Sequence, residues 1–359
     1  MTQFQFDPFR LPYRALTVPD DVMRYVEAPS SYAVVNAHPA VQELLAETYG
    51  RSGLALKHVP LPSSLQHPGL ARWGGTTLGM AGLVQNLLAL DGLAPRVYDL
   101  VCVNDRYAAQ VTDYVPEGDA PPRIDELMAA LHRWGIETMH INYDYGPQNW
   151  RNGLFLDCSG YFLPPDRIAR IAQDIQRDAM VKKGLPASSA YQAVPELYIP
   201  GDRPALRRLP SAVATLVEQA DDVLDIGCNL GHFTRLAATG ARRRVVGVDK
   251  ATARLCRMVN LLLGRWQIDI IDVKLPSGAD QLPLQHYDIV FCLSTVTYMG
   301  AEAIPWMASM APALWLEGHG GLPAEHYRPA LERAYQDVRR LADATDNKIR
   351  AQFLCTDPV

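Results

Sequence analysis

The sequence predicts an α/β protein, with a Rossmann-like, doubly wound sheet in its C-terminal part and a separate α+β domain before it. Two observations lead to this prediction. Apolar segments of strand length alternate with helical patterns through the C-terminal half, which is typical of a parallel sheet covered by helices on both faces. In addition, at residues 223–233, an apolar strand with an acidic residue near its end continues into a Gly-x-x-x-Gly turn and an amphipathic helix.

The run at 223–233 reads Val-Leu-Asp-Ile-Gly-Cys-Asn-Leu-Gly-His-Phe and predicts a ligand site. Glycine lets the backbone pass close beneath a ligand, and a helix that follows offers unpaired N–H groups. A second apolar strand, 244–249, ends in Asp249 about 20 residues further on, where a carboxylate can accept both hydroxyl groups of a ribose. The chain is therefore expected to bind a small molecule that contains a nucleoside.

The turn also indicates which nucleoside ligand is bound. Dinucleotide sites use Gly-x-Gly-x-x-Gly, because the second glycine lets the pyrophosphate reach the start of the helix. Asn229 and His232 stand where the second and third glycines of that pattern would be. Side chains at the place of the phosphates argue against NAD and FAD. A ligand with a ribose and no phosphate fits the turn better.

These residues resemble motif I of the class I S-adenosylmethionine-dependent methyltransferases, whose pattern is acidic-x-Gly-x-x-x-Gly. The resemblance covers residues 190–359. It implies a doubly wound sheet that ends in an antiparallel hairpin. The segments that it assigns are a third strand at 267–272, a fourth at 287–294, a fifth at 313–317, a long helix near 323–341 and a last strand at 348–355.

The resemblance implies S-adenosylmethionine as the cofactor, and the scattered cysteines suggest no zinc site, so no metal ligand is predicted. The motif I turn, the ends of the next two strands and the end of the fourth strand then supply its contacts. The expected cofactor-binding residues are Asp225, Gly227, Cys228, Asn229, Gly231, His232, Phe233, Asp249, Lys250, Asp272, Val273, Leu293 and Ser294.

Candidate catalytic residues lie after the first, fourth and fifth strands of the sheet, because ligands bind at the carboxyl ends of the strands. Glu317 and His319 stand between glycines after the fifth strand, and a Glu that orients a His is a general-base arrangement. Tyr298 follows the fourth strand with Ser294, Thr295 and Thr297, and His232 lies in the motif I turn. The alternative is structural: Glu317 fixes loop amides, His319 faces solvent and His232 caps its helix.

Residues 315–320 and 344–350 resemble a bacterial subgroup of these enzymes, which includes the methyltransferase parts of bifunctional methyltransferase–kinases that end polysaccharide chains. The implied function is methyl transfer to a small molecule at an oxygen: the hydroxyl, carboxylate or phosphate of a sugar or secondary metabolite. A bifunctional kinase–methyltransferase and a non-catalytic S-adenosylmethionine-binding module remain as alternatives.

Composition limits the compartment and the partners. The chain has 359 residues, enough for two domains, and contains no apolar run long enough to span a bilayer and no secretory signal pattern, so we expect a cytoplasmic protein. Six cysteines without a Cys-x-x-Cys pair indicate buried free thiols. The net charge is −5 and the only dense basic run is 242–244, which argues against a nucleic-acid substrate.

The pattern of residues 1–165 predicts the α+β domain. We expect this domain to supply substrate contacts or a homodimer surface. Its predicted elements are a helix at 78–90, strands at 96–103 and 108–115, a helix at 124–134 and a hairpin at 154–162. Their order resembles the middle of protein-kinase-like folds. The resemblance implies Lys57 as the strand lysine, Asp144 and Asn149 as the catalytic loop and Asp157 as a metal ligand. No Gly-rich phosphate loop precedes Lys57, so a degenerate kinase remnant and a chance turn sequence both remain open.

Residues 166–215 predict a helical linker that leads into the methyltransferase domain at 216–359. In the family that the sequence resembles, the segment before the first strand folds over the cofactor. Tyr191, Gln192, Arg203, Arg207 and Arg208 are thus candidates for holding the methionine carboxylate or an anionic substrate, and a solvated linker face is the alternative.

Overall fold

The computed structural model describes residues 13–26, 34–61, 71–73, 76–139, 147–182, 190–203, 209–319, 326–344 and 350–359. The chain divides into two compact units. The first contains Met1–Ile171 and Leu261–Trp266, and the second contains Ala172–Asn260 and Gln267–Val359.

The first unit is an α+β structure around a five-stranded sheet of order β1-β6-β7-β3-β2, in which β1 is parallel to β6 and the other pairs are antiparallel. The predicted helices at 78–90 and 124–134 and the predicted strand pair are present. Its elements are β1 Tyr13–Leu16, α1 Asp20–Val26, β2 Val34–Asn36, α2 Pro39–Tyr49, β3 Leu54–Pro60, β4 Arg72–Trp73, β5 Thr76–Thr77, α3 Leu78–Ala89, β6 Val97–Val103, β7 Tyr107–Asp113, α4 Ile124–Trp134, β8 Glu137–Thr138, β9 Trp150–Arg151, β10 Leu154–Phe155 and β11 Tyr161–Phe162.

The predicted hairpin at 154–162 is wrong. β10 pairs with β9, which precedes it, whereas β11 pairs with β8, more than twenty residues earlier in the chain. Apolar spacing gave the positions of both short strands but could not give their partners, since pairing at a distance leaves no local pattern.

The second unit contains a seven-stranded sheet of order β16-β15-β14-β17-β18-β20-β19. β14 to β18 are parallel, and β20 runs antiparallel to both β18 and β19. This confirms the predicted doubly wound sheet with a terminal antiparallel hairpin. Its elements, together with α5, are α5 Pro165–Lys182, β12 Ala190–Gln192, β13 Gly201–Arg203, α6 Ser211–Gln219, β14 Asp222–Ile226, α7 His232–Ala237, β15 Arg244–Val248, α8 Ala253–Leu262, β16 Asp269–Ile271, β17 Ile289–Leu293, α9 Val296–Met299, α10 Ala303–Met310, β18 Ala313–Glu317, α11 Arg328–Ala334, β19 Tyr335–Ala344 and β20 Arg350–Pro358.

Both faces of this sheet are buried. Because side chains alternate along a strand, Leu224 and Ile226 of β14 lie in one apolar core with Leu314, while Val223 lies in another with Phe291. Strands buried on both faces have nearly continuous apolar sequences, which explains why the sequence predicts these parallel strands correctly. The polar groups of the site are therefore confined to the edge at which the parallel strands end.

The long helix predicted near 323–341 is also wrong over much of its length. α11 ends at Ala334, and the next ten residues form β19. Tyr335, Val338 and Leu341 recur every three residues, a spacing typical of a helix face. Pairing with β20 and burial of Tyr335 in the core outweigh that local preference.

Two further sequence expectations concern thiols and membranes. All six cysteines are free thiols, and five of them are buried. Within the described ranges, no helix combines the length and the apolar character needed to cross a bilayer.

Lys57 of β3 is a buried lysine. Its side chain is 3% exposed, and Nζ donates to Leu156 O at 2.9 Å and to Gln85 Oε1 at 3.5 Å. Burial lowers the pKa of Lys57 to about 7, against the opposing effect of Cys158 and Asp157. A lysine in this environment loses its proton at a lower pH than a lysine in water, because burial disfavours the charged ammonium.

This pKa predicts how stability depends on pH. Between pH 7 and 10.5 the unfolded chain keeps the Lys57 proton and the folded chain does not, so wild-type stability rises with pH in that window. Lys57→Met lacks this rise. The free energy of unfolding of the variant minus that of the wild type should fall by on the order of 2–4 kcal/mol from pH 7 to pH 10, measured by urea titration. Lys250→Met, at an exposed lysine, is the control, and a difference independent of pH for Lys57→Met would contradict the lowered pKa of Lys57.

Candidate active site

The turn between β14 and α7 is built on three residues with left-handed backbone. Gly227, Asn229 and Gly231 have φ angles of +77°, +52° and +80°. A Cβ at Gly227 would lie 2.0 Å from Thr295 Oγ1, and one at Gly231 would lie 2.8 Å from Cys256 Sγ. Glycine is therefore required at both positions by backbone angle and by close packing.

Asp249 follows β15 and organises the loop beside this turn. Its Oδ1 accepts the N–H groups of Ala251 and Thr252 at 2.8 Å each, and its Oδ2 accepts Asn229 N–H at 3.1 Å. The Thr252 hydroxyl donates to Asn229 O at 3.2 Å. Each carboxylate oxygen has two lone pairs, so Oδ2 keeps capacity to accept a further hydroxyl group.

A cavity of about 620 Å³ runs along the carboxyl edge of the sheet. Its walls come from the segments after β16, β15, β14, β17 and β18, which is the order of these strands in the sheet. Eleven of the residues predicted from the sequence line it: Tyr191, Gly227, Asn229, Asp249, Lys250, Val273, Leu293, Ser294, Thr295, Tyr298 and His319.

The other predicted site residues do not line this cavity. Cys228, Gly231 and Phe233 are buried behind the turn. Asp272 is half-exposed and pairs with Lys250, at 3.5 Å between Oδ1 and Nζ. The remaining described members of this group are Gln192, Asp225, His232, Thr297 and Glu317.

Asp225 lies in β14 with its carboxylate under α7. It is 2% exposed, and Oδ2 accepts the Thr234 hydroxyl at 2.6 Å. Burial raises the pKa of Asp225 to about 7, although the Thr234 hydrogen bond opposes the rise. This carboxyl group ties the strand to the helix, so its position is structural.

His232 is the first residue of α7, and its ring packs edge-on against Phe233. Its backbone N–H donates to Gln192 Oε1 at 3.1 Å. Gln192 of β12 therefore anchors the segment before the first sheet strand to the motif I turn. The neighbouring Tyr191 lines the cavity.

Glu317 and His319 are not brought together as a pair. Glu317 is fully buried at the end of β18, where Oε1 accepts the Ser294 hydroxyl at 2.7 Å and Oε2 accepts Gln352 Nε2 at 2.9 Å. Arg350 completes the group, with Nη1 at 3.4 Å from Glu317 Oε1. The Glu317 carboxylate is thus committed to a buried network instead of orienting the imidazole.

His319 lies at the cavity beside an exposed tyrosine. Its ring is half-buried and meets the Tyr298 ring edge-on, with centroids 6.0 Å apart. Tyr298 is 76% exposed, and Thr297 points elsewhere, with its hydroxyl 3.2 Å from Tyr327 OH. Thr295 joins Tyr298 and His319 in the cavity wall.

The kinase-like residues belong to the first unit. Asp157 Oδ1 accepts Ser159 N–H at 3.0 Å in a local turn, and Asn149 O accepts Leu156 N–H at 2.9 Å. Lys57 donates to the carbonyl of that same Leu156. Asp144, Arg207 and Arg208 lie outside the described residues, as does the side chain of Arg203.

Sequence reasoning missed Arg350 and Gln352, which hold Glu317 from β20. The signal available was a charged residue and an amide at the start of an otherwise apolar last strand. Only the antiparallel register, which sets Gln352 opposite Glu317, makes them part of the site. Within the described residues, no group of three or more His, Cys, Asp and Glu side chains is arranged to hold a metal ion.

No family model matches the sequence, and no curated protein matches it significantly. Solved structures with similarity include the N-terminal domain of EvdMO1 with SAH bound, at 15% identity and a TM-score of 0.39, over 52% of this chain and 97% of that one. WbdD has 17% identity and a TM-score of 0.40, over 49% of this chain and 46% of that one. The ribosomal protein L11 methylase from Lactobacillus delbrueckii subsp. bulgaricus has 14% identity and a TM-score of 0.32, over 40% and 77%. None of these similarities is strong enough to assign a function.

The backbone at Gly227 lies so close to Thr295 that a methyl group added at position 227 should greatly lower the free energy of unfolding. Gly227→Ala should lower the free energy of unfolding by about 2 kcal/mol more than Gly92→Ala. Gly92 has a similar φ of +67° but no atom within 4 Å of an added Cβ, so the pair separates the Thr295 clash from backbone strain. Urea unfolding of both variants gives the comparison, and equal losses would mean that the turn has room to shift.

Proposed function

We propose that the protein is an S-adenosylmethionine-dependent methyltransferase that acts on an oxygen of a small molecule. The observation that carries the proposal is the cavity itself. It lies at the carboxyl ends of β14, β15, β17 and β18, where doubly wound sheets bind ligands, and Asp249 stands in it at the end of the second strand.

The residues present fit this cofactor. The volume of about 620 Å³ is in the range of small-molecule sites. Asp249 Oδ2 can accept a ribose hydroxyl, Val273 and Leu275 offer an apolar wall for a base, and the backbone at Gly227 is open on the cavity side. Asn229 fills the place where a dinucleotide site would need glycine, which favours a ligand without phosphates.

The order of the strands supports one direction for the ligand. With a ribose at Asp249 after β15, an adenine would face the residues after β16 and the amino-acid part would cross β14 towards β17. When bound, the sulfonium supplies an already activated methyl group, so the protein has to hold the acceptor close and aligned. The acceptor then belongs near Thr295, Tyr298 and His319.

His319 is the proposed general base for a hydroxyl acceptor. An imidazole nitrogen can accept the proton of a hydroxyl acceptor, and a positioned base contributes about 10²–10⁴ to rate. Its ring is held against Tyr298 at the cavity and remains accessible from it. Glu317 is not proposed as its partner, because its carboxylate serves the buried network.

A kinase activity of the first unit has weaker support and is not proposed. A phosphate-binding lysine must reach its ligand, whereas Lys57 is 3% exposed and donates to a backbone carbonyl. A non-catalytic binding module would share the cofactor site and lack only turnover, so the assay of His319 below separates it from an enzyme.

Asp249→Asn tests the cofactor assignment. Calorimetric titration with S-adenosylhomocysteine should show affinity reduced by tenfold or more, since a hydrogen bond to a charged group is worth about 1.5–3 kcal/mol. Asp272→Asn changes the neighbouring acid outside the cavity and should stay within about twofold of wild type. Undiminished binding by a folded Asp249→Asn variant would remove this residue from the site, and absence of wild-type binding would refute the proposal.

His319→Ala tests the base. With an acceptor found by screening hydroxylated sugars and phenols for S-adenosylhomocysteine release, turnover should fall by about 10²–10⁴ while cofactor affinity changes little. His286→Ala, at an exposed histidine before β17, should leave both values unchanged. If His319→Ala turns over as fast as wild type, the base lies elsewhere.

A further inference from the structure

Four polar side chains from distant parts of the chain meet beside the cavity. Arg350 Nη1 donates to Tyr191 OH at 3.2 Å and also to Ser294 Oγ, and it lies 3.4 Å from Glu317 Oε1. Tyr191 and Ser294 line the cavity, whereas Arg350 and Glu317 do not. The charged pair therefore forms a second layer behind two neutral hydroxyl groups.

Burial of the Arg350–Glu317 ion pair has a high free-energy cost. Arg350 is 7% exposed and Glu317 is fully buried, and burial of two ions costs several kcal/mol per ion before their attraction is counted. Among the residues that the structure describes, none accepts a hydrogen bond from the buried Arg350 Nε. Two apolar side chains in place of Arg350 and Glu317 would stabilise the fold at least equally well. A role in positioning the neighbouring hydroxyl groups therefore explains the two charges better than a role in stability.

The backbone at Ser294 points to the same role. Its φ is +59°, a left-handed conformation that is uncommon for a residue other than glycine. Its N–H donates to Glu317 O at 3.0 Å, and its hydroxyl donates to Glu317 Oε1 at 2.7 Å. Glu317 thus holds both the backbone and the side chain of Ser294, which fixes a strained residue at the end of β17.

We propose that Arg350 and Glu317 are positioning residues that fix the Tyr191 and Ser294 hydroxyls as a binding site for the amino-acid end of the cofactor. This inference rests on the proposed function. Starting from a ribose at Asp249, the amino-acid part extends across β14 to β17, and Ser294 and Tyr191 are the hydroxyl groups held there by the network. A zwitterionic amino-acid group is matched by neutral hydroxyls backed by a paired cation and anion.

Two ligands separate this site from the rest of the cavity. S-adenosylhomocysteine carries the amino-acid end, and 5′-methylthioadenosine has the same nucleoside and thioether without it. Tyr191→Phe and Arg350→Met should weaken S-adenosylhomocysteine about tenfold or more in calorimetric titration. Both should leave 5′-methylthioadenosine within about twofold of wild type, because its contacts lie at Asp249 and beyond.

The control is Gln352→Met, which removes a donor from the other Glu317 oxygen and leaves the Arg350 contacts in place. It should lower stability and leave the affinity ratio of the two ligands unchanged. Tyr191→Phe removes one oxygen from a half-buried ring and keeps the test valid if Arg350→Met does not fold.

The outcomes are distinct. If wild type binds neither ligand, the proposed function fails. If wild type binds both, and Tyr191→Phe weakens both equally or neither, the cofactor site stands and the amino-acid assignment is overturned.

Discussion

The site depends on how closely the backbone at Gly227 approaches the loop after β17. Thr295 occupies the space that any side chain at 227 would need, so β14 and β17 can end side by side only with glycine there. This contact brings the turn, Asp249 and Ser294 to one edge of the sheet.

A second constraint comes from the buried charges behind the cavity wall. Glu317 ends β18 and Arg350 begins β20, and their meeting depends on the antiparallel closing strands of the sheet. The hairpin β19–β20 therefore has a role beyond covering the sheet edge. Arg350, at the start of β20, donates a hydrogen bond to Tyr191, which comes before the first strand of the sheet in the chain.

Local signals in the sequence were sufficient for the parallel strands of the second unit, the motif I turn and the Asp249 position, because each is encoded by a few adjacent residues. The predicted helix at 323–341 was wrong because pairing with the next strand, β20, outweighed a helical spacing, and the predicted hairpin at 154–162 was wrong because β11 pairs with β8, much earlier in the chain. The Glu317–His319 pair failed for a similar reason: adjacency in sequence suggested a partner, and the register of β20 supplied different ones. The local signal at Arg350 was a charged residue at the start of an apolar strand, which is also the pattern of an exposed strand end, so the sequence alone did not make Arg350 a site residue.

The most direct test of the proposed cofactor site is a crystal structure of the protein with S-adenosylhomocysteine. We expect ribose hydroxyls within hydrogen-bond distance of the Asp249 carboxylate and the amino-acid group beside Tyr191 and Ser294. Binding at another surface, or a ribose placed away from Asp249 in the same cavity, would contradict it.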